Sequence, residues 1–230
     1  MSIAVFLPTR KGSQRIPDKN TKYFGGLEGG LLELKLLSLV DLGVQEIILS
    51  TNDEKSMEIA RRISRDNPKL RIESRPDNLA SSTTKLTDLI KYVPSITSCD
   101  HILWTHVTSP FVSTSIYEEA IEKYKNNLNM GFDSLMSVSS FKNFLWNKDK
   151  KDIINRNSND RWPQTQDLED LYEINSAIFI SPRNLYIDRS DRVGMNPYLY
   201  ELNKIQSLDI DWEDDFIIAE AVYEKIYRKK

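Results

Sequence analysis

The chain has 230 residues, of which 40% are hydrophobic and 28% are charged, and its formal net charge is −3. This length allows one sizeable core, and the composition is ordinary for a globular protein. A weakly acidic chain without a basic stripe is not typical of a nucleic-acid binder. The sequence has no run of about 18 apolar residues and no signal-peptide pattern. We therefore expect a cytoplasmic protein that binds a small molecule, with no membrane and no nucleic acid as partner.

Few side chains suit a soft metal. The chain has one cysteine, Cys99, and two histidines, His101 and His106. A single cysteine forms no internal disulfide, which agrees with a reducing compartment. Three such residues are too few for a structural zinc site, which takes four. Any metal is therefore expected to be a hard cation held by carboxylates.

The N-terminal segment predicts a strand that ends in an anion-binding loop. The apolar run Ile3–Leu7 leads into Pro8–Asn20, a loop with four cationic side chains, one glycine and two hydroxyls. Backbone N–H groups of such a turn and cationic side chains bind phosphate oxygens, and a parallel strand would place them at its carboxyl end. The loop is neither a P-loop nor a GxGxxG motif. A phosphate-rich ligand is one interpretation, and a solvated basic turn is the other.

The following segments alternate between helix and strand patterns. They predict helices over Leu31–Val40, Glu54–Asp66 and Thr114–Asn126, and strands over Glu46–Thr51, Leu70–Ser74 and His101–Thr105. Asp53 is placed to cap the second helix. Ser81–Thr84 are predicted to cap a helix that ends near Tyr92, or to offer donors to an anion there. This alternation predicts a parallel, doubly wound α/β sheet.

The middle of the chain departs from this alternation. Ser134–Ser140 has a strand pattern, and Glu173–Ile180 predicts another strand, with a helix starting at Ser181 and Pro182. Between the strands, Phe141–Leu171 is polar and irregular and contains two tryptophans. Such a segment is either a mobile lid or an arm that packs against a partner, and the tryptophans favour the arm.

The C-terminal part carries an acidic cluster. Ser207–Phe216 alternates Leu208 and Ile210 with Asp209 and Asp211, so on a strand the two aspartates would share one face. Two carboxylates can hold Mg²⁺ together with phosphates, and they repel each other without a cation. The alternative is an exposed acidic strand edge.

A helix is predicted to follow this cluster. Asp214 and Asp215 open it and Arg228–Lys230 end it, which suits the helix dipole and explains these two acids structurally. A polyphosphate held by Arg10 and Lys19 would need the cation that Asp209 and Asp211 can hold.

Six segments together resemble one family. In chain order they are PTRKGSQRIPDKN, ILSTNDE, RPDNLASS, HVTSP, NSAIFI and SLDIDWEDDF, and they are similar to the acylneuraminate (sialic acid) cytidylyltransferases over almost the whole chain. The resemblance implies a Rossmann-like three-layer sandwich with a mostly parallel sheet, formed by residues 1–230 as one nucleotidyltransferase domain. It also implies a homodimer joined by residues 141–171. The implied reaction transfers CMP from CTP to the anomeric hydroxyl of a 2-keto-3-deoxy sugar acid and releases pyrophosphate.

The resemblance also implies roles for matching residues. Those expected to bind nucleotide are Arg10, Ser13, Arg15, Lys19, Asn20, Arg75, Ser81 and Ser82. Those expected near the sugar are His106, Thr108, Arg161, Gln166 and Asn175, with Arg161 or Gln166 reaching the partner's pocket. Asp209 and Asp211 are expected to hold Mg²⁺, and with Arg10 and Lys19 they form the implied catalytic set.

Several positions depart from the family pattern. Gln14 stands where a lysine is usual, with Arg15 beside it, and His106-Val107 replaces Gln-Pro. The other departures are Val112, Ser176 and Trp212. They leave three alternatives open: another sugar acid, including an eight-carbon one; a homologue that binds nucleotide without catalysis; or an interaction protein with surface charges. His106 either bonds to substrate or satisfies a neighbouring group.

Overall fold

The computed structural model describes residues 1–227. Its strands are β1 (Ile3–Pro8), β2 (Glu46–Thr51), β3 (Leu70–Ser74), β4 (His101–Thr105), β5 (Ser134–Phe141), β6 (Trp146–Asn147), β7 (Asp152–Ile153), β8 (Leu171–Pro182) and β9 (Pro197–Glu201). Its helices are α1 (Gly30–Val40), α2 (Glu54–Ser64), α3 (Leu86–Tyr92), α4 (Thr114–Leu128), α5 (Arg183–Arg189) and α6 (Glu213–Tyr227). Asp53 caps α2 as predicted, because its carboxylate accepts a hydrogen bond from the Ser56 N–H.

Seven strands form the central sheet in the order β3-β2-β1-β4-β8-β5-β9. Pairing is parallel from β3 to β4 and between β5 and β9, and only β8 runs against its neighbours β4 and β5. This confirms the predicted mostly parallel α/β sheet.

Helices cover both faces of the sheet, and the side chains of β1 alternate between these faces. On β1, Val5 and Leu7 pack into the larger core with α1, α2, α4 and α6. Phe6 points to the other face and packs with Trp104 and with residues of α3 and α5. Three layers result, as the resemblance implied.

The structure corrects two expectations and adds one strand. Residues 207–211 form no strand; Leu208 and Ile210 still point inward, and the segment is held by the hydrogen bond from the Ile210 N–H to the Thr108 carbonyl. Strand β9 was not predicted. Ser81–Thr84 do not cap α3, whose N-cap is Lys85, because the hydroxyls of Ser81, Thr83 and Thr84 bond to one another. The predicted basic helix end, Arg228–Lys230, lies outside the described residues.

Residues 141–171, called the arm below, have a small structure of their own. Strands β6 and β7 pair as a two-stranded sheet. The Asn155 side chain accepts a hydrogen bond from the Leu145 N–H and donates one to the Asn143 carbonyl. None of the six helices within residues 1–227 combines the length and apolar character needed to span a bilayer.

Candidate active site

A cavity of about 310 Å³ opens at the carboxyl ends of β1 and β4. This is the edge of a parallel sheet at which open α/β folds bind ligands. The lining residues are Pro8, Thr9, Arg10, Ser13, Gln14, Arg15, Lys19, Asn20, Arg75, Leu86, Leu89, Trp104, His106, Val107, Thr108 and Asp211. The fold therefore brings the basic N-terminal loop and one of the two C-terminal aspartates to the same cavity.

The basic loop is attached to the sheet by its backbone. The Thr9 N–H donates to the Ser50 carbonyl, and the Lys11 N–H donates to the Asn52 side chain. Gly12 has φ +80°, a conformation that glycine adopts at no steric cost. Three of the four cationic side chains of the loop, Arg10, Arg15 and Lys19, line the cavity. Asn20 donates to the Arg10 carbonyl at 3.4 Å, so its side chain supports the loop.

Lys19 and Asp211 link the loop to the acidic segment. The Lys19 ammonium donates to the Ile210 carbonyl at 2.7 Å and lies 3.6 Å from Asp211 Oδ1. Burial lowers the pKa of Lys19, while Asp211 and Asp209 oppose this shift. Arg15 Nη1 lies 3.0 Å from Asp211 Oδ2. Two cations thus contact Asp211 in this structure.

Asp209 lies behind Asp211, beside the loop that follows β4. Burial raises the pKa of its carboxyl; Thr108 lowers it and the negative charge of Asp211 raises it further. Its Oδ1 atom is buried and has no hydrogen-bond partner among the described residues. A buried carboxylate oxygen without a donor beside a second carboxylate fits a hard cation. In the part of the chain that the structure describes, no group of three or more His, Cys, Asp or Glu forms a metal site, so phosphate and water oxygens would complete the coordination.

Arg75 brings a buried positive charge to the cavity. Its side chain is 5% exposed, and its Nε and Nη2 atoms donate to the Ser50 hydroxyl and carbonyl. Burial lowers its pKa to about 10, so it stays charged at neutral pH. Within residues 1–227 it forms no ion pair with a carboxylate. A buried cation without a counter-ion favours an anionic ligand.

His106 satisfies a neighbouring group and also lines the cavity. Its Nε2 atom accepts a hydrogen bond of 3.0 Å from the Trp104 indole N–H, and its ring lines the cavity. Burial, with the positive charges of Arg192 and Lys35, lowers its pKa to about 3. The imidazole is therefore neutral at physiological pH and offers its Nδ1–H to the cavity. Thr108 lines the cavity beside it.

Six predicted site residues do not line this cavity, and one of them is Asp209, described above. Ser81 and Ser82 are exposed, and Asn175 is buried between β5 and β8, where it bonds to Ser137 and Ser139. Arg161 and Gln166 are exposed on the arm. The structure contains one chain, so their predicted reach into a partner's pocket stays a prediction.

Sequence reasoning missed two cations near the site, of which one is buried and one half-buried. Lys35 of α1 donates to the Ser109 carbonyl and the Tyr117 hydroxyl, and burial lowers its pKa to about 7. Its position in a leucine-rich helix was the available signal, because a lysine in an apolar helical stripe is unusual. Arg192 lies against the ring faces of Phe179 and Trp104 at 3.7 and 4.9 Å. No local pattern marks Arg192, since its neighbours come from other strands.

The comparisons with known proteins agree with this site. Residues 4–229 match the profile of a family described as Cytidylyltransferase. The chain therefore belongs to the cytidylyltransferase family.

Three curated relatives cover most of the chain. N-acylneuraminate cytidylyltransferase of Streptococcus agalactiae serotype III is 28% identical over 97% of this chain. Pseudaminic acid cytidylyltransferase of Campylobacter jejuni is 24% identical over 94% of both chains, and CMP-N,N'-diacetyllegionaminic acid synthase of Legionella pneumophila is 26% identical over 97% of both. The chain spans 54% of the streptococcal relative, about half its length.

The fold is shared with solved structures. CMP:2-keto-3-deoxy-manno-octonic acid synthetase, solved in complex with CTP, superposes with a TM-score of 0.64 at 12% identity, covering 100% of both chains. This likeness supports the Rossmann-like architecture.

Proposed function

We propose that this protein transfers CMP from CTP to the anomeric hydroxyl of a nonulosonic acid and releases pyrophosphate. The observation that carries the proposal is one cavity in which Arg10, Lys19 and Arg75 face Asp211. Cations suit a triphosphate, and the aspartates suit the Mg²⁺ that accompanies it. Family membership and the names of the three relatives support the same reaction.

The proposed chemistry is positioning with charge neutralisation. The anomeric oxygen attacks the α-phosphorus, an O–P bond forms, and the bond to the β-phosphate oxygen breaks so that pyrophosphate leaves. Arg10, Ser13 and Lys19 would hold the phosphates in line and neutralise charge that builds up on the leaving group. Arg75 would fix the nucleotide from the strand side. Mg²⁺ on Asp209 and Asp211, when bound, would supply Lewis-acid charge at the phosphates.

The sugar acid is proposed as a class. The relatives' names differ in the sugar acid, and three of this chain's departures, His106, Val107 and Val112, are on the side assigned to the sugar. A neutral His106 would donate from Nδ1 to a sugar hydroxyl or acylamino oxygen. Ser81, Ser82, Arg161, Gln166 and Asn175 keep their proposed roles only if nucleotide binding or dimerisation brings them to the cavity. We place the reaction in the cytoplasm, where CTP is available.

Pyrophosphate release tests this proposal. CTP and Mg²⁺ are supplied with N-acetylneuraminate, legionaminate, pseudaminate or an octulosonate. We expect turnover with a nine-carbon acid, and turnover with the octulosonate alone would establish the eight-carbon alternative instead. CTP binding without turnover on any of the four acids would contradict the proposed transfer and indicate a nucleotide-binding homologue.

Asp211→Asn tests the metal assignment. We expect at least a hundredfold loss of rate, because loss of one of the two carboxylates weakens Mg²⁺ binding and removes the ligand that faces the cavity. Asp214→Asn is the matched control, since Asp214 is an exposed acid in the first turn of α6. Equal rates in the two variants would remove Asp211 from the site.

A further inference from the structure

Trp212, one of the departures from the family pattern, contacts the residue that follows another departure, Gln14. Arg15 follows Gln14 in the basic loop, and its guanidinium lies 4.9 Å from the centre of the Trp212 ring. The same guanidinium lies 3.0 Å from Asp211 Oδ2. Trp212 is 61% exposed, so its indole adds little to the core.

The two aspartates differ in the partners of their carboxylate oxygens. Both oxygens of Asp211 face cations, with Arg15 near Oδ2 and Lys19 near Oδ1. Asp209 Oδ1, by contrast, has no partner among residues 1–227. Lys19 is anchored by the Ile210 carbonyl, whereas the Arg15 side chain is 46% exposed and has room to move. Arg15 is therefore the cation that can leave Asp211.

We propose that Trp212 is a positioning residue that keeps Arg15 on Asp211 until a nucleoside triphosphate draws it away. In the free protein, Arg15 occupies the position beside Asp211 that the divalent cation would take. In the complex, Arg15 contacts the phosphates of the nucleotide instead. This inference rests on the proposed function, because it assumes a triphosphate in the cavity that Arg15 lines.

The physical basis is competition between two anions for one cation. A half-exposed ion pair is weak, so Arg15 lowers the affinity of the site for the divalent cation without preventing its binding. A triphosphate offers more charge and bidentate geometry to a guanidinium than one carboxylate does. An aromatic face attracts a guanidinium over a range of positions, so Trp212 can hold Arg15 near both anions. Divalent cation and nucleotide would then bind cooperatively, and by linkage each would favour the other.

Binding of Mn²⁺ to the protein without nucleotide, measured by electron paramagnetic resonance, tests the first half of the proposal, that Trp212 keeps Arg15 on Asp211 in the free protein. We expect Arg15→Gln and Trp212→Leu to bind Mn²⁺ about twofold to fivefold more tightly than the wild type, the range of a half-exposed pair. Trp212→Phe keeps an aromatic face and should bind Mn²⁺ with the affinity of the wild type. The Trp212 N–H bond to Asp215 survives these substitutions, since it uses the backbone.

Lys22→Gln is the matched control. Lys22 pairs with Glu213 at 2.6 Å in the same region, and it does not contact Asp211. If Lys22→Gln tightens Mn²⁺ binding as much as Arg15→Gln does, only net charge matters and the proposal is wrong. Wild-type affinity in Trp212→Leu would equally overturn the positioning role.

Repeating the Mn²⁺ titration with CTP tests the second half of the proposal, that a triphosphate draws Arg15 away from Asp211. In the wild type, CTP should tighten Mn²⁺ binding by a larger factor than in Arg15→Gln, at least threefold larger. Equal factors would overturn the movement of Arg15. Absence of CTP binding to the wild type would instead contradict the proposed function, whereas the nucleotide-free titration would still report on the Arg15–Asp211 pair.

Discussion

Arg75 holds a positive charge in the interior, at the wall of the cavity. It is fixed by Ser50 on β2 and by its own N–H, which donates to the Thr51 carbonyl. Removing a charge from water is costly unless a partner compensates. Its two bonds to Ser50 orient the guanidinium without neutralising it, which is what binding an anion requires.

Arg75→Met should weaken CTP binding while keeping most of the side-chain volume. Hydrogen bonds to charged groups contribute about 1.5–3 kcal/mol, so we expect the CTP dissociation constant to rise about tenfold to a hundredfold. Isothermal titration calorimetry measures this change, and an unaltered constant would remove Arg75 from the nucleotide site.

Arg71→Met is the control for Arg75→Met. Arg71 lies on β3, the strand that Arg75 directly follows, and pairs with Glu46 at 2.8 Å and Glu73 at 3.0 Å. Its loss should lower the melting temperature, since two carboxylates lose their shared cation, and leave CTP affinity unchanged. A similar loss of CTP affinity in both variants would indicate that any destabilised β3 impairs binding.

At the scale of elements, Lys35 connects helix α1 to the loop after β4 and to helix α4. Its ammonium donates to the Ser109 carbonyl in the loop after β4 and to the Tyr117 hydroxyl of α4 at 2.7 and 2.8 Å. The Tyr117 hydroxyl also lies 2.6 Å from the Thr105 hydroxyl, which donates to the Ala177 carbonyl. This buried chain fixes the loop that carries His106 and Thr108.

The pKa of Lys35 predicts a pH dependence of stability. Burial lowers this pKa from 10.5 to about 7. Between pH 7 and 10.5 the unfolded chain therefore binds a proton that the folded chain does not, and stability rises with pH in this range. In Lys35→Met this contribution is absent.

Urea unfolding at pH 7.5 and 9.5 measures the effect. We expect the free energy of unfolding of the wild type to rise, relative to Lys35→Met, by about 1 kcal/mol per pH unit. Lys125→Met, which removes an exposed lysine of α4, should show no such change relative to the wild type. A parallel pH dependence in the wild type and Lys35→Met would show that Lys35 titrates normally in the folded protein.

At the scale of the whole molecule, the arm exposes apolar surface. Trp146 and Trp162 are 53% and 67% exposed, and Phe144 and Ile154 are 37% and 47% exposed. Phe144 and Trp162 pack edge to face at 5.7 Å. Exposed aromatic residues on one segment favour a protein interface, in agreement with the proposed homodimer.

Light scattering after size exclusion tests the arm as the dimer interface. We expect a dimer for the wild type and a shift toward monomer for the double variant Trp146→Ser, Trp162→Ser, since aromatic anchors dominate interface energies. Ile217→Ser is the control, because Ile217 is equally exposed but lies on α6. Loss of the dimer in the control alone would place the interface on α6.

Local pattern was sufficient for much of the fold. Hydrophobic periodicity and capping residues predicted β2, β3 and β4 with the observed bounds, and α2 with its Asp53 cap. These segments are determined by which side chains must be buried and by the polar groups at their ends. The basic loop could also be predicted from the sequence, because its cations and glycine lie close together in the chain and the strand before it is apolar.

The remaining features depend on contacts between distant segments. Residues 207–211 keep the alternation of a strand but form none, because their backbone N–H groups bond to the preceding turn, at Asn203 and Ile205, and to Thr108 in the loop after β4. The charge state of Lys35 and His106 follows from burial by other elements, and the pairing of Asp211 with Arg15 joins positions 196 residues apart. The sequence by itself determined the elements and the charges available for a site, whereas tertiary structure decided which of those charges meet, because burial and ion pairing are properties of the packed chain.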